Sequence, residues 1–283
     1  MKRVAVILVA ILFAITLTGA ATQTIRFVNV PSGTMESDII EFAPILEFVE
    51  RFVQDAGFDV EFEAITVLDY SAAIQAMIHG HAEMCRFGPG QYVLLSRESG
   101  GAVQPIAREI KNKTGLSFYN ALLIARTDTG IQGLCSCIRH DYTIAFVDET
   151  STSGYLVPQV ILTKYGLSNE DFDSVYFAGS HAASIQAVWD GHVDIAATND
   201  YRYGLAIKEG VIVEAEMQVL AISDPIPNNP IVVSNDLGPE LIAALQAAWL
   251  AVPIDVAQGF SLSGWEATTD ADYNPIRDLE ALE

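Results

Sequence analysis

Three hydroxyl side chains stand in a row at Ser151, Thr152 and Ser153, with Thr150 before them and Gly154 after. A β-branched, apolar run, Thr143-Ile144-Ala145-Phe146-Val147, leads in and predicts a strand. A helical pattern leads out, from Tyr155 to Tyr165, and stops at Gly166. Pro158 falls within the first turn or so of that helix, where a missing N–H is tolerated. The first N–H groups of a helix have no internal partners and carry partial positive charge, so they attract anions. Hydroxyls at the same point add hydrogen-bond donors. One Ser or Thr there is an ordinary N-cap. A Thr-Ser-Thr-Ser-Gly cluster reads equally as a cap or as an oxyanion pocket.

Other residues could share that chemistry. His181 stands at the start of a later helix, in Gly179-Ser180-His181, either as a packed imidazole or as a further site group. Asp200 follows the strand-like run Val193–Ala197. A carboxylate beside an anion site makes sense when the ligand has a proton to donate, as a monoprotonated phosphorus oxyanion or an amine on a phosphonate tail does. Its other reading is a helix N-cap. Tyr70 and Tyr119 each offer a phenol, or pack at a lobe surface. Phe87 reads as a wall of the cleft. Ser153 and His181 with Asp200 or Asp194 are also the residue types of a hydrolytic triad, so a secreted hydrolase is an alternative. The Gly-x-Ser-x-Gly elbow is absent, because position 151 is Ser. His79-Gly80-His81 lies between a helix end and a strand start and reads as turn residues rather than a metal pair. Cys135-Ser136-Cys137 is an incomplete zinc set, and Cys85 lies in an apolar run that predicts burial. No metal and no cofactor is expected.

These groups need a scaffold. Thr24–Val30 predicts a first strand, ended by Pro31-Ser32-Gly33. Phe42, Ile45, Leu46, Val49, Phe52 and Val53 recur at helical spacing. A strand over Asp59–Ile65, a helix over Ser71–Ile78 and a strand over Ala82–Phe87 complete a βαβαβ unit, which implies a parallel sheet. The pattern repeats with strands at 143–147, 174–178 and 193–197 and helices at 155–165 and 182–189. The fold class is therefore α/β in two lobes. Asn120–Ala125, and Val219–Ser223 through Ile231–Val233, read as long strands that cross between lobes as hinges. Helices over Pro239–Leu250 and near Val256 return to the first lobe. The boundaries expected are 22–121 plus 225–283 for lobe 1 and 122–224 for lobe 2. Ligands of α/β sheets bind beyond the carboxyl ends of the strands, so facing lobes share one cleft.

Composition narrows the partners. The chain has 283 residues and a net charge of −21, which argues against nucleic acid. It also opposes long-range attraction of small anions, so an anion site is expected to rely on local donors. Lys2-Arg3, an apolar run from Val4 to Leu17 and Thr18-Gly19-Ala20-Ala21 predict a cleavable signal peptide over 1–21. No Cys stands near Ala20, so no lipid anchor is expected and the mature chain is expected to be periplasmic.

The block Asp148-Glu149-Thr150-Ser151-Thr152-Ser153-Gly154-Tyr155-Leu156-Val157-Pro158 resembles the signature of the phosphonate/phosphite/phosphate-type solute-binding proteins of ABC transporters. Asp69–Met77, Phe177–Ser184, Val193–Asp200, Pro225–Pro230 and Asp270–Arg277 are similar to further blocks of the family, in order. The resemblance implies a type II periplasmic-binding-protein fold, with two hinge crossovers and a cleft that closes on a phosphorus oxyanion. It implies ligand contacts from Tyr70, Tyr119, Ser151, Thr152, Ser153, His181 and Asp200, and no enzymatic activity. It implies a membrane permease with its cytoplasmic ATPase as partner, with the chain itself expected to be a monomer. A ligand-binding partner of a separate sensor is a further alternative. Tyr201 stands where members that take aminoalkyl phosphonates carry an acidic residue, which favours phosphite, methylphosphonate or phosphate over 2-aminoethylphosphonate. Phe87 stands where a Tyr is often found.

Overall fold

A computed structural model describes residues 22–29, 35–65, 67, 69–111, 115–135, 142–260 and 262–280. The predicted signal peptide, the Pro31-Ser32-Gly33 turn and Cys137 lie outside the described residues. The first half runs β1 (Gln23–Asn29), α1 (Met35–Asp55), β2 (Val60–Ile65), α2 (Tyr70–Ile78), β3 (Met84–Arg86), α3 (Pro89–Glu98) and β4 (Val103–Lys111). A short strand, β5 (Phe118–Tyr119), then leads to β6 (Ala121–Arg126). The second lobe continues with β7 (Thr143–Phe146), α4 (Val157–Lys164), β8 (Ser174–Phe177), α5 (His181–Trp189), β9 (Ile195–Asn199), α6 (Asp200–Lys208) and β10 (Met217–Ile222). The chain returns through β11 (Ile226–Pro227) to β12 (Pro230–Ser234), α7 (Pro239–Leu250), α8 (Ile254–Ala257), β13 (Leu262–Ala267) and α9 (Asn274–Glu280).

Among the described residues two large sheets form, a six-stranded one in the order β13-β4-β12-β3-β1-β2 and a five-stranded one in the order β10-β6-β9-β7-β8. The three strands of each βαβαβ unit are parallel, as their helical crossovers require. The sheets are mixed rather than wholly parallel. Strand β6 enters the second sheet antiparallel to β9, and β12 enters the first antiparallel to β3 and β4. The crossings differ from the long strands expected. They narrow to β5 and β11, which pair with each other as an antiparallel ribbon, Tyr119 opposite Ile226. The ordered elements α3 and β4 lie outside the pattern read from sequence.

Each lobe has a core cluster of its own, and a further one spans both, from Phe87 and Tyr92 to Phe146 and Leu162. In the first lobe, Phe27 stacks on Phe42 with ring centroids 5.2 Å apart, and Trp249 meets Trp265 edge-on at 5.0 Å. A core of the second is built on Leu122, Ile124, Ile185, Val188 and Val193. Cys85 is buried in β3, and burial pushes its thiol up; Cys135 is exposed.

Candidate functional site

Five helix starts contribute to one cavity between the two sheets, and local capping sets each of them. The Asp69 carboxylate accepts from Ala72 N at 2.7 Å and places Tyr70 at the first position of α2. Gly88 opens α3. Ser180 Oγ accepts from Ala183 N at 3.2 Å and places His181. Asn199 Oδ1 accepts from Arg202 N at 2.8 Å and opens α6. Ser151 Oγ accepts from Gly154 N at 3.2 Å. Here the chain makes one π-helical turn over Thr152–Leu156 before α4 begins, rather than entering an α-helix directly. Pro158 explains it. Pro158 has no N–H for the Gly154 carbonyl, which instead accepts from Val147 N at 3.1 Å. With so many partly positive helix ends directed at one place, the cavity favours an anion.

Strand ends add charge. Arg86 is the last residue of β3 and Lys111 the last of β4, and both line the cavity with Arg202 of α6. Three of the chain's 15 basic residues thus surround one small space. An anion site was expected to rely on local dipoles and donors rather than on overall charge, and these cations add to the local set. Arg86 and Glu109 form a buried ion pair through Nε and Oε1, and Arg86 Nη1 also donates to Asn29 Oδ1 at 3.3 Å. Lys111 Nζ lies 3.9 Å from Glu109 Oε2 and 4.6 Å from the centre of the Tyr201 ring across the cleft. Burial lowers the Lys111 pKa, with Glu109 opposing and Arg86 adding to the fall. Burial, helped by Arg202, takes His181 down to about 3, so its imidazole is neutral at physiological pH. Burial pushes the Tyr70 and Tyr119 phenols up, so both keep their protons as donors.

The cavity measures about 50 Å³. At about 10–15 Å³ per water-sized group it takes about three to five such groups, the count of substituents around a tetrahedral oxyanion. It is closed by direct contact between lobes, with Gly90 N donating to Thr152 Oγ1 at 2.6 Å. The approach demands glycine. A Cβ on Gly90 would lie 2.7 Å from Leu156 Cδ1 and 3.1 Å from the Thr150 carbonyl oxygen.

Of the residues read from sequence, Tyr70, Tyr119, Ser151, Thr152, Ser153 and His181 all line this cavity. Phe87 does not: it is fully buried in the core beneath. Asp200 does not line it either. Its carboxylate accepts from Asn120 N at 3.2 Å and from Tyr201 N at 2.7 Å, and burial raises its pKa against those bonds. The N-cap of α6 is Asn199, not Asp200. The triad geometry is not assembled. The His181 Nδ1 neighbour is Thr198 Oγ1, at 3.4 Å, and Asp194 accepts from Thr143 N and Oγ1, both at 2.8 Å. Arg86, Lys111, Gln91, Arg202 and Asn228 were not singled out by sequence. A usable signal existed for Arg86, the polar end of a short apolar run, where α/β ligands bind.

Two α/β lobes, joined by a two-stranded ribbon and closed on a small cationic cavity, define a bilobal solute-binding protein. Residues 35–273 match the ABC transporter, phosphonate, periplasmic substrate-binding protein family, and the chain belongs to it. A phosphate-import protein of Mycolicibacterium smegmatis is 27% identical over 281 residues, covering 90% of this chain and 84% of that one. A binding-protein component of a phosphonate ABC transporter from Pseudomonas aeruginosa superposes with a TM-score of 0.80 at 23% identity, covering 92% of this chain and 86% of that one. A Prochlorococcus marinus protein in complex with methylphosphonate gives 0.80 at 17% identity, covering 91% and 97%. No helix among the described residues is long and apolar enough to cross a membrane.

Proposed function

We propose that this chain captures a small phosphorus oxyanion (phosphate, phosphite or methylphosphonate) by closing its two lobes, and delivers it to an ABC permease with its ATPase. The observation that carries this reading is the cavity of about 50 Å³, in which three cations and five helix starts meet. Its size suits a tetrahedral group with short substituents and disfavours long phosphonate tails. The ligands named for two relatives, phosphate and methylphosphonate, are of that kind. In this reading residues 1–21 are a signal peptide, the mature chain is a periplasmic monomer, and 22–121 with 225–283 form one lobe and 122–224 the other. It acts without catalysis, since neither Asp194 nor Asp200 orients His181. Closure is driven by the ligand's greater affinity for the closed state.

Thermal unfolding with a panel of phosphate, phosphite, methylphosphonate, 2-aminoethylphosphonate and sulfate tests the reading. At ligand 100-fold above Kd, stabilisation is about 2.7 kcal/mol. For a chain of this size that corresponds to a Tm rise of roughly 5–10 °C. A panel in which no phosphorus oxyanion shifts Tm refutes it.

A further inference from the structure

Most polar groups lining the cavity can donate a hydrogen bond, and several of their oxygens already accept one, as Ser151, Thr152 and Asn199 do. Two acceptors stand out. Asn228 is fully buried, lines the cavity, and its Oδ1 has no hydrogen-bond partner. The rest of Asn228 is fully engaged. Its backbone N donates to Ser117 O at 2.8 Å, its Nδ2 donates to Glu109 O at 3.0 Å, and its carbonyl accepts from Tyr273 Oη at 3.2 Å. These bonds also settle which way the amide faces. Turning it over would set Oδ1 against the Glu109 carbonyl, acceptor against acceptor. Gln91 Oε1 is the second buried acceptor in the lining without a partner. A buried acceptor left unpaired is destabilising, and in a cavity rich in donors it calls for a ligand proton.

We propose that Asn228 Oδ1, seconded by Gln91 Oε1, accepts a hydrogen bond from a P–OH of the ligand, so that the site selects an oxyanion that still carries a proton. This deepens the reading of the cavity as a phosphorus-oxyanion site and rests on it. A fully deprotonated anion satisfies the donors but turns oxygen lone pairs towards these two acceptors. A P–OH satisfies both kinds of group. Asp200, the carboxylate that sequence suggested for this task, is committed to the amides of Asn120 and Tyr201.

The charged and titratable groups around Asn228 are Arg86 of β3, Glu109 and Lys111 of β4, and the phenols Tyr119 and Tyr273. Tyr70 of α2 and, across the cleft, His181 of α5 and Tyr201 and Arg202 of α6 complete them. A change of protonation in any of these alters the binding of every oxyanion, so the test compares two ligands. Phosphate and methylphosphonate each lose one proton and gain one negative charge between about pH 5.5 and about pH 9. Phosphate then retains a P–OH, whereas methylphosphonate has none.

Calorimetric titration of the purified protein with both ligands across that range is the experiment. The affinity for methylphosphonate relative to phosphate falls about tenfold as pH rises, the size expected for one hydrogen bond to a charged ligand. In Asn228→Leu the slope with pH is reduced, and in the double variant Asn228→Leu/Gln91→Leu the ratio becomes independent of pH, whereas a merely structural role would weaken both ligands and leave the slope. A wild-type ratio that is flat with pH overturns the proposal, as does a full slope that survives in both variants. Should the variants not fold, the wild-type slope decides alone. Failure of both ligands to bind at any pH is a different result, and refutes the oxyanion reading itself.

Discussion

Gly90→Ala separates closure from folding. Gly90 occupies the first turn of α3 with ordinary helical backbone, so alanine is acceptable to the helix and favours it by up to about 1 kcal/mol. The added methyl is a problem only when the lobes are together. It would sit 2.7 Å from Leu156 Cδ1, 3.0 Å from Thr152 Oγ1 and 3.1 Å from the Thr150 carbonyl oxygen. The leucine tip can swing aside, but the carbonyl belongs to the backbone beside the π-helical turn and cannot. Overpacking of this kind destabilises by about 1–3 kcal/mol. Borne by the closed state alone, it weakens ligand affinity about five- to 150-fold. The Tm of the ligand-free protein stays equal or rises slightly. Calorimetry with phosphate and methylphosphonate, beside thermal unfolding without ligand, measures both quantities. Unchanged affinity, or a ligand-free Tm that falls in step with affinity, would refute the reasoning.

Lys111→Met removes a cation whose own charge is disfavoured by burial, and Arg86 remains to pair Glu109. Oxyanion affinity falls by roughly 10- to 150-fold, from the loss of a hydrogen bond between charged groups of about 1.5–3 kcal/mol. The ligand-free Tm does not fall; calorimetry and thermal unfolding check the pair of outcomes, and intact affinity contradicts the site. His181→Gln tests the buried neutral imidazole. With a folded value of about 3 against 6.5, the unfolded chain takes the proton first as pH falls. The histidine therefore contributes stability above pH 6.5 that is lost between 6.5 and about 3, on the order of a few kcal/mol. The variant's stability declines less steeply than wild type across that window in denaturant titrations, and parallel curves would show that the imidazole is not held neutral.

Much of the site was legible where its chemistry is local. The hydroxyls at 151–153 announce themselves because a cap and the helix it opens lie within a few residues, as the Ser151–Gly154 bond shows. Tyr70 and His181 follow from helix starts in the same way. Lys111 was not legible because its strand β4 lies outside the pattern read from sequence, and Arg86 carried only a partial signal, because a strand places side chains alternately on two faces and only the finished sheet says which face meets the cleft. Phe87 was misplaced for the same reason: one residue beyond Arg86, it turns into the core. Asp200 has the right chemistry and neighbourhood, but the amides of Asn120 and Tyr201 claim its carboxylate.

By itself the sequence determined the two βαβαβ units, the helix starts that supply dipoles, and the family signature around the hydroxyl turn. Each depends on patterns or contacts spanning few residues. Tertiary structure alone decided that the crossings narrow to the β5–β11 ribbon, that three cations gather in an otherwise acidic chain, and that Gly90 touches Thr152. It alone left Asn228 Oδ1 buried and without a partner. These features join residues far apart in the chain, 62 positions for Gly90 and Thr152 and 119 for Asn228 and Glu109. No local preference encodes such pairs; they exist once the two lobes have folded and met.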